Sequence, residues 1–256
     1  MLLEIKNLSI EVDRSKTSIV DGASLQINEK MIVGLVGGSG SGKTTTGLSI
    51  LRLLSPQLKI TSGEILLEGI NLLDFEEEQM RPLRGRKVGM VFQEPLDAFN
   101  PVFSIGYQIE EVLKFHTDLT SNKRKKKILE LLDMVGIFDP HRVVKTYPHQ
   151  LSGGMRQRAM IAQAIAAGPK MLIADEPTSN LDVTLQARIM DLFMRLKEEL
   201  SLSILLITHD LGIVEHFSNR IFVMHEGKII ESGDTKSVLG SPRKDYTQKL
   251  MNVLRG

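Results

Sequence analysis

Residues 37–44 read GGSGSGKT and fit G-x-x-x-x-G-K-[ST] directly after the apolar run MIVGLVG. A loop of this kind turns backbone N–H groups inward around a β-phosphate, and the helix that follows adds positive potential. Gly37, Gly38, Ser39, Gly40, Ser41 and Gly42 form the cradle. Lys43 then reaches the β- and γ-phosphates, and the Thr44 hydroxyl ligates Mg²⁺. Alone, the motif leaves kinases, GTPases and ATPases open. The stretch KMLIADEPTS narrows the choice, because an apolar run ends in Asp175, placed to hold Mg²⁺ through water. Glu176 follows on the opposite face, free to orient or deprotonate an attacking water. Gln93 and His209 each close an apolar run, KVGMVFQ and SILLITH, with one polar group. Both should join Asp175 at one edge of the sheet, where open α/β sheets bind ligands. His116, His141, His149, His216 and His225 read as ordinary surface or core residues. A second anion site is suggested by LSGGMRQR at 151–158, where Ser152, Gly153 and Gly154 open a helix.

The elements that must position these residues follow from periodicity. LLEIKNLSIEV and SIVDGASLQI read as strands, and MIVGLVG as a buried central strand. Between about 94 and 168 the pattern is mostly helical; from 169 it returns to strand–helix alternation. A parallel α/β sheet with an inserted helical lobe is expected. RIFVMHEGKIIESG reads as a hairpin turning at Glu226–Gly227. The basic run Lys123–Lys127 starts an amphipathic helix whose apolar face is Ile128, Leu131, Leu132 and Val135.

Composition removes several function classes. The 256 residues carry a formal net charge of +1 and no cysteine. Near-neutral charge argues against bulk nucleic-acid binding. Without cysteine there are no disulfides, iron–sulfur clusters or cysteine-ligated zinc, which fits a reducing compartment. The charged, alternating N-terminus reads as a strand and not a signal peptide. No apolar run approaches the ~20 residues a membrane helix needs. A soluble, cytoplasmic protein is expected.

In this order the motifs resemble the nucleotide-binding subunits of ATP-binding-cassette (ABC) transporters, over nearly the whole chain. GGSGSGKT matches the Walker A loop, Gln93 the Q-loop and LSGGMRQR the signature. MLIADE matches the Walker B strand, SNLD at 179–182 the D-loop and His209 the switch histidine. The resemblance implies a P-loop NTPase cassette with a mostly parallel core sheet, an N-terminal antiparallel β subdomain and an inserted helical subdomain. Residues 1–93 and 169–240 would form the catalytic core, 94–168 the helical subdomain, and 241–256 a short C-terminal helix. ATP and Mg²⁺ are implied, with Thr45 and Asp182 added to the nucleotide-binding set and Gln93 to the Mg²⁺ ligands. Glu176, His209 and Gln93 would be catalytic. In the family two cassettes pair head to tail, so Ser152, Gly153 and Gly154 would serve a nucleotide held by the other subunit. That accounts for two phosphate sites in one chain.

PLRGRKVGMVFQEPLDAFNP, ADEPTSNLDVTLQARIMDL and DYTQKL resemble the dipeptide, oligopeptide and nickel importer branch. The double glycine at 37–38 is most similar to the nickel-type subunits. This implies two membrane-spanning permease subunits, an extracytoplasmic substrate-binding protein and a location on the cytoplasmic face of the membrane, with no nucleic acid. EPLDAFNP would face the permease, with Phe99 in the docking surface. The family's adenine-stacking aromatic is missing, since the first aromatic is Phe75; Val12, Arg14 or Ile19 would pack the base instead. Lys244–Asp245 replaces the branch's usual His-Pro before Tyr246. Two other readings remain: a non-transport cassette, such as those associated with phosphonate carbon–phosphorus lyase, and a nucleic-acid or ribosome-acting cassette.

Overall fold

In the computed structural model the backbone is described for every residue except Asn180 and Gly256, and side chains except those of Asp97, Asn180 and residues 253–256. The chain opens with strands β1 (Leu3–Val12) and β2 (Ser18–Ile27), then β3 (Ile32–Val36) leads through the glycine loop into α1 (Lys43–Ile50). Next come β4 (Leu58–Leu67), β5 (Ile70–Asn71) and α2 (Glu77–Arg86), then β6 (Val88–Val91). The helices α3 (Pro95–Ala98), α4 (Ile105–His116), α5 (Ser121–Met134), α6 (Pro140–Val143) and α7 (Gly153–Ile165) follow. Strand β7 (Met171–Asp175) and helix α8 (Val183–Leu200) precede β8 (Ser203–Thr208), α9 (Leu211–Phe217) and the hairpin β9 (Arg220–His225) and β10 (Lys228–Asp234). The chain closes with α10 (Thr235–Gly240) and α11 (Asp245–Arg255).

These elements form two compact units, Met1–Arg81 with Ser201–Gly256, and Pro82–Leu200. In the first unit β1 lies between β2 and β4 in an antiparallel sheet. β2 alternates from Ala23 through Leu25 to Ile27, which face the core with Val20, and the alternation breaks at Asp21–Gly22 where the register with β1 shifts. A second layer is built on β3, which pairs in parallel with β8 and β9, while β10 returns antiparallel to β9. Every residue of β3 and β8 is buried. Their continuous apolar character is what a strand covered on both faces requires. Helix α1 packs on β8, and α9 on β3 and β8.

In the second unit β6 and β7 pair in parallel, and all their residues are buried. Residues 94–168 hold α3 to α7, with α4, α5 and α7 packed on one another. As expected, α5 buries Ile128, Leu131 and Leu132 while its basic run faces outward, Arg124 pairing with Glu110 at 3.2 Å. One expectation is overturned. Phe99 is 3% exposed, so it is a core residue and no docking surface. Its segment is drawn inward by buried Gln108, which accepts from the Asn100 N–H at 2.8 Å and donates to the Asn100 and Phe103 carbonyls at 3.0 Å each. Around this segment Leu96, Val102, Phe103 and Tyr107 are among the apolar side chains left outside.

Candidate functional site

The glycine loop of the first unit lies between a buried strand and a helix with no side-chain cap. Gly42 occupies the N-cap of α1 with φ 101°, a left-handed conformation that favours glycine. Crowding demands glycine as well: a Cβ at Gly42 would lie 2.7 Å from the Ile19 carbonyl oxygen, and one at Gly37 only 2.1 Å from that of Met224. The loop is braced from outside by the β9–β10 turn, where the Gly227 N–H donates to the Ser41 carbonyl at 3.1 Å. Lys43 is 5% exposed. Its Nζ donates to the Gly37 and Gly38 carbonyls at 2.9 Å each and approaches the Ser41 Oγ at 3.5 Å. A buried ammonium needs such partners, and here they fix it above the loop. Ser39, Gly40 and Thr44 are exposed, and Thr45 is half-buried in the first turn of α1. A glycine backbone at an uncapped helix N-terminus beside a buried ammonium is an arrangement suited to an anion.

His209 belongs to the same unit and is exposed directly after β8. Asp210 holds it there, capping α9 through the Ile213 N–H at 3.1 Å while its own N–H donates to Thr208 Oγ1 at 3.0 Å. Two of the three candidates for the base, Val12 and Arg14, line a cavity of about 430 Å³ with Asp13, Pro56 and Gln57. The backbone of the third, Ile19, is packed against the glycine loop.

The second unit carries the acidic residues. Asp175 is 3% exposed at the last position of β7, and Gln93 is exposed two residues beyond β6. Glu176 does not continue the strand, because its φ is 43°. A left-handed backbone costs a non-glycine residue roughly 1–2 kcal/mol, so the neighbouring structure must hold it. Three carbonyls in a row are held. The Glu176 carbonyl accepts from Ser179 N–H at 3.1 Å and Ser179 Oγ at 2.8 Å. The Pro177 carbonyl accepts from Gln157 at 2.7 Å, and the Thr178 carbonyl from Gln186 at 3.2 Å. Buried Gln157 comes from α7, so the loop after β7 is tied to the helix that LSGGMRQR opens. Sequence reading assigned Gln157 no role; a polar residue inside a charged motif gives no sign of burial.

At the start of α7, Ser152 is the N-cap and its Oγ accepts from the Met155 N–H at 3.4 Å. Nothing lies within 4 Å of a Cβ placed at Gly153, and one at Gly154 would meet Leu185 at 3.5 Å in ordinary contact. Asp182 accepts from the Leu185 N–H at 3.0 Å and so caps α8. Asn180 of the SNLD stretch lies outside the described residues. Within the second unit, the Asp175–Glu176 loop and the Ser152–Gly154 helix start are thus mechanically linked.

A nucleotide loop on a parallel sheet, an acid pair at a strand end and a second anion-type helix start define a P-loop NTPase of the cassette kind. The ABC transporter family model matches residues 20–179. A dipeptide transport ATP-binding protein of Haemophilus influenzae is 45% identical over 99% of this chain and 77% of its own length. A peptidoglycan transport ATP-binding protein of Agrobacterium fabrum is 46% identical over 98% of this chain and 46% of its own length. Among solved structures, a dimeric bacterial ABC transporter cassette superposes with a TM-score of 0.81 at 29% identity, covering 91% of this chain and 99% of the other. A structure of that cassette after hydrolysis, bound to ADP and Pi, matches equally well, with a TM-score of 0.81 at 29% identity and the same coverage. The chain belongs to the ABC transporter family, as an ATP-hydrolysing cassette.

Proposed function

We propose that this cassette powers a binding-protein-dependent importer of peptides, working as one of two cassettes paired head to tail. The observation that carries the cargo class is similarity over 99% of the chain to a dipeptide transport subunit. Further relatives named for peptide and peptidoglycan transport support it. Peptide therefore takes precedence over the nickel-type cargo suggested by the loop at 37–38. Pairing is supported by the dimeric cassette and by the open helix start at Gly153. No observation favours a lyase-associated or nucleic-acid role.

In this reading Gly37 to Thr45 bind the β- and γ-phosphates, with Lys43 as their fixed cation. Glu176 takes a proton from water as its oxygen attacks the γ-phosphorus, and ADP leaves with the electrons of the broken bond. His209 and Gln93 contact the γ-phosphate. Ser152, Gly153 and Gly154 cover the γ-phosphate held by the partner cassette, with Asp182 at the same boundary. The Thr44 hydroxyl, the Gln93 amide oxygen and the Asp175 carboxylate are hard oxygen donors, which suit Mg²⁺. When bound, that ion supplies neutralisation of the phosphate charge.

No helix among the described residues is long and apolar enough to cross a membrane. In this reading membrane-spanning permease subunits hold the cassette on the cytoplasmic face. A groove of about 570 Å³ in the helical region, lined in part by Tyr107, Ile128 and Tyr147, is the proposed seat for a permease segment. Phe103 stacks on Tyr107 at 4.6 Å beside it. The test is reconstitution with the permease pair and binding protein in vesicles. Peptide should stimulate ATPase activity and accumulate inside. Phe103→Asp should abolish uptake and leave basal hydrolysis within about twofold, as surface changes usually do. Stimulation by nickel and not by peptide would overturn the cargo class; uptake that survives Phe103→Asp would overturn the docking seat.

A further inference from the structure

The C-terminal helix reaches the nucleotide loop. Tyr246, in the first turn of α11, accepts a hydrogen bond from the Gly38 N–H through its hydroxyl at 2.8 Å. The tyrosine ring is itself fixed, lying 3.7 Å from the His225 ring at an interplanar angle of 19°. His225 is the last residue of β9, whose neighbour Met224 presses its carbonyl against Gly37. Helix α11 is anchored separately. Glu231 accepts from the Arg243 N–H at 2.8 Å and the Lys244 N–H at 3.3 Å, and Thr247 and Met251 are buried. Burial works against ionisation of Glu231. Thr247, the Arg243 and Lys244 N–H groups and the Arg243 charge outweigh it, holding the carboxyl below its ordinary pKa.

One peptide unit joins Tyr246 to Lys43. In a trans peptide the C=O and the next N–H point in opposite directions. The Gly37–Gly38 unit therefore gives its N–H to Tyr246 and its C=O to the Lys43 ammonium. Flanked by two glycines, this unit rotates at little cost unless both ends are held. Without the hydroxyl, one of the two carbonyls that park the Lys43 charge loses its fixed direction. Position 38 is fitted to the same oxygen, since a Cβ there would come within 2.9 Å of Tyr246 Oη.

We infer that Tyr246 is a positioning residue for the phosphate loop, acting on nucleotide through the Gly37–Gly38 peptide and Lys43. The inference rests on the reading that this loop binds ATP. It explains why a residue 208 positions away from Gly38 belongs to the site. Preorganised groups bind more tightly because their ordering is not left to the binding step.

Tyr246→Phe removes the oxygen and keeps the ring stack. A single neutral hydrogen bond corresponds to about a 2- to 10-fold change in an equilibrium constant. The expected result is a 3- to 10-fold weaker affinity for a fluorescent, ribose-labelled ATP, on the order of one such bond. KM for ATP rises by the same factor and kcat stays within about twofold, because ground and transition states lose the interaction equally. The nucleotide-free melting temperature should hold within about 2 °C, since α11 keeps its other anchors. A matching fall in melting temperature would reduce Tyr246 to a helix-docking residue and overturn the inference. So would an affinity equal to or tighter than that of the unaltered chain. Gly38→Ala gives a second reading. It should weaken binding in the unaltered chain and cost at least about twofold less in the Tyr246→Phe background, where the clashing oxygen is gone. Strict additivity would also overturn the inference. If the unaltered chain fails to bind labelled ATP, the ATP reading of the loop falls first; binding with no Tyr246 effect sinks this inference alone.

Discussion

The chain contains two helix starts suited to phosphate, and they are built in opposite ways. Before α1 two glycines are forced by the interior: added carbons at Gly37 and Gly42 would collide with backbone oxygens at 2.1 and 2.7 Å. The cation there is buried and already bonded to the loop. At α7, Gly153 is exposed and a side chain would meet nothing within 4 Å. Among the described residues nothing within 4 Å requires glycine there. Physical crowding thus separates a loop whose glycines are set by the chain's own packing from a helix start with open space beside it. The proposed pairing gives that room an occupant, the nucleotide of a second cassette.

The largest effect should come from Glu176, the proposed general base. Glu176→Gln should retain ATP binding and lower turnover by about 10²–10⁴, the usual contribution of a general base. Single-turnover hydrolysis near the unaltered rate would move the base elsewhere, with His209 next to be tested. Lys43→Ala should come second. Charge-assisted hydrogen bonds contribute roughly 1.5–3 kcal/mol, so nucleotide affinity should fall about 10- to 100-fold. Affinity within twofold would show that the buried ammonium is not the phosphate partner.

A third measurement compares the helix starts through stability alone. Gly42→Ala places a side chain at φ 101° against the Ile19 carbonyl and should destabilise by about 1–3 kcal/mol. Gly153→Ala fills open space at the first residue of α7 and should be neutral or stabilise by up to about 1 kcal/mol. Denaturant midpoints decide the matter. Equal losses at both positions would erase the contrast between a forced and a permissive glycine.

What was readable in the sequence was local. The glycine loop declares itself because its turn, lysine and hydroxyl sit within eight residues after a continuous apolar strand. The strands β3, β7 and β8 were legible because burial on both faces leaves unbroken apolar runs. Long-range fits were not. In the sequence Tyr246 is one residue of DYTQKL and His225 an ordinary histidine, yet they stack beside the loop. No spacing rule connects residues so far apart. Phe99 fails for the same reason: the resemblance turns EPLDAFNP toward a partner, but Gln108, beyond the stretch, binds the Asn100 backbone and Phe99 is buried. The left-handed backbone of Glu176 also had no signature, since glutamate rarely adopts it unless its surroundings compel it.

The smallest effect on this chain's own nucleotide should come from the most intrusive change at α7. Gly153→Glu places a carboxylate in open space, on a helix whose first turn tolerates negative charge, so folding should survive. Affinity for ATP at the chain's own loop should stay within about twofold, because in the proposed pairing Gly153 serves the partner's nucleotide. Closure over a partner's nucleotide is another matter. The carboxylate would face a γ-phosphate in a partly desolvated boundary, where like charges cost several kcal/mol. Glu176→Gln supplies the readout, because ATP that binds without turnover should trap the paired state. Adding Gly153→Glu should remove the trapped dimer on sizing while labelled ATP still binds each monomer. Two outcomes would end the two-chain mechanism. One is a double variant that still dimerises with ATP, and the other is isolated monomer hydrolysing at a concentration-independent rate. Either result would place the action of the second helix start within its own chain, and the open space at Gly153 would need a different occupant.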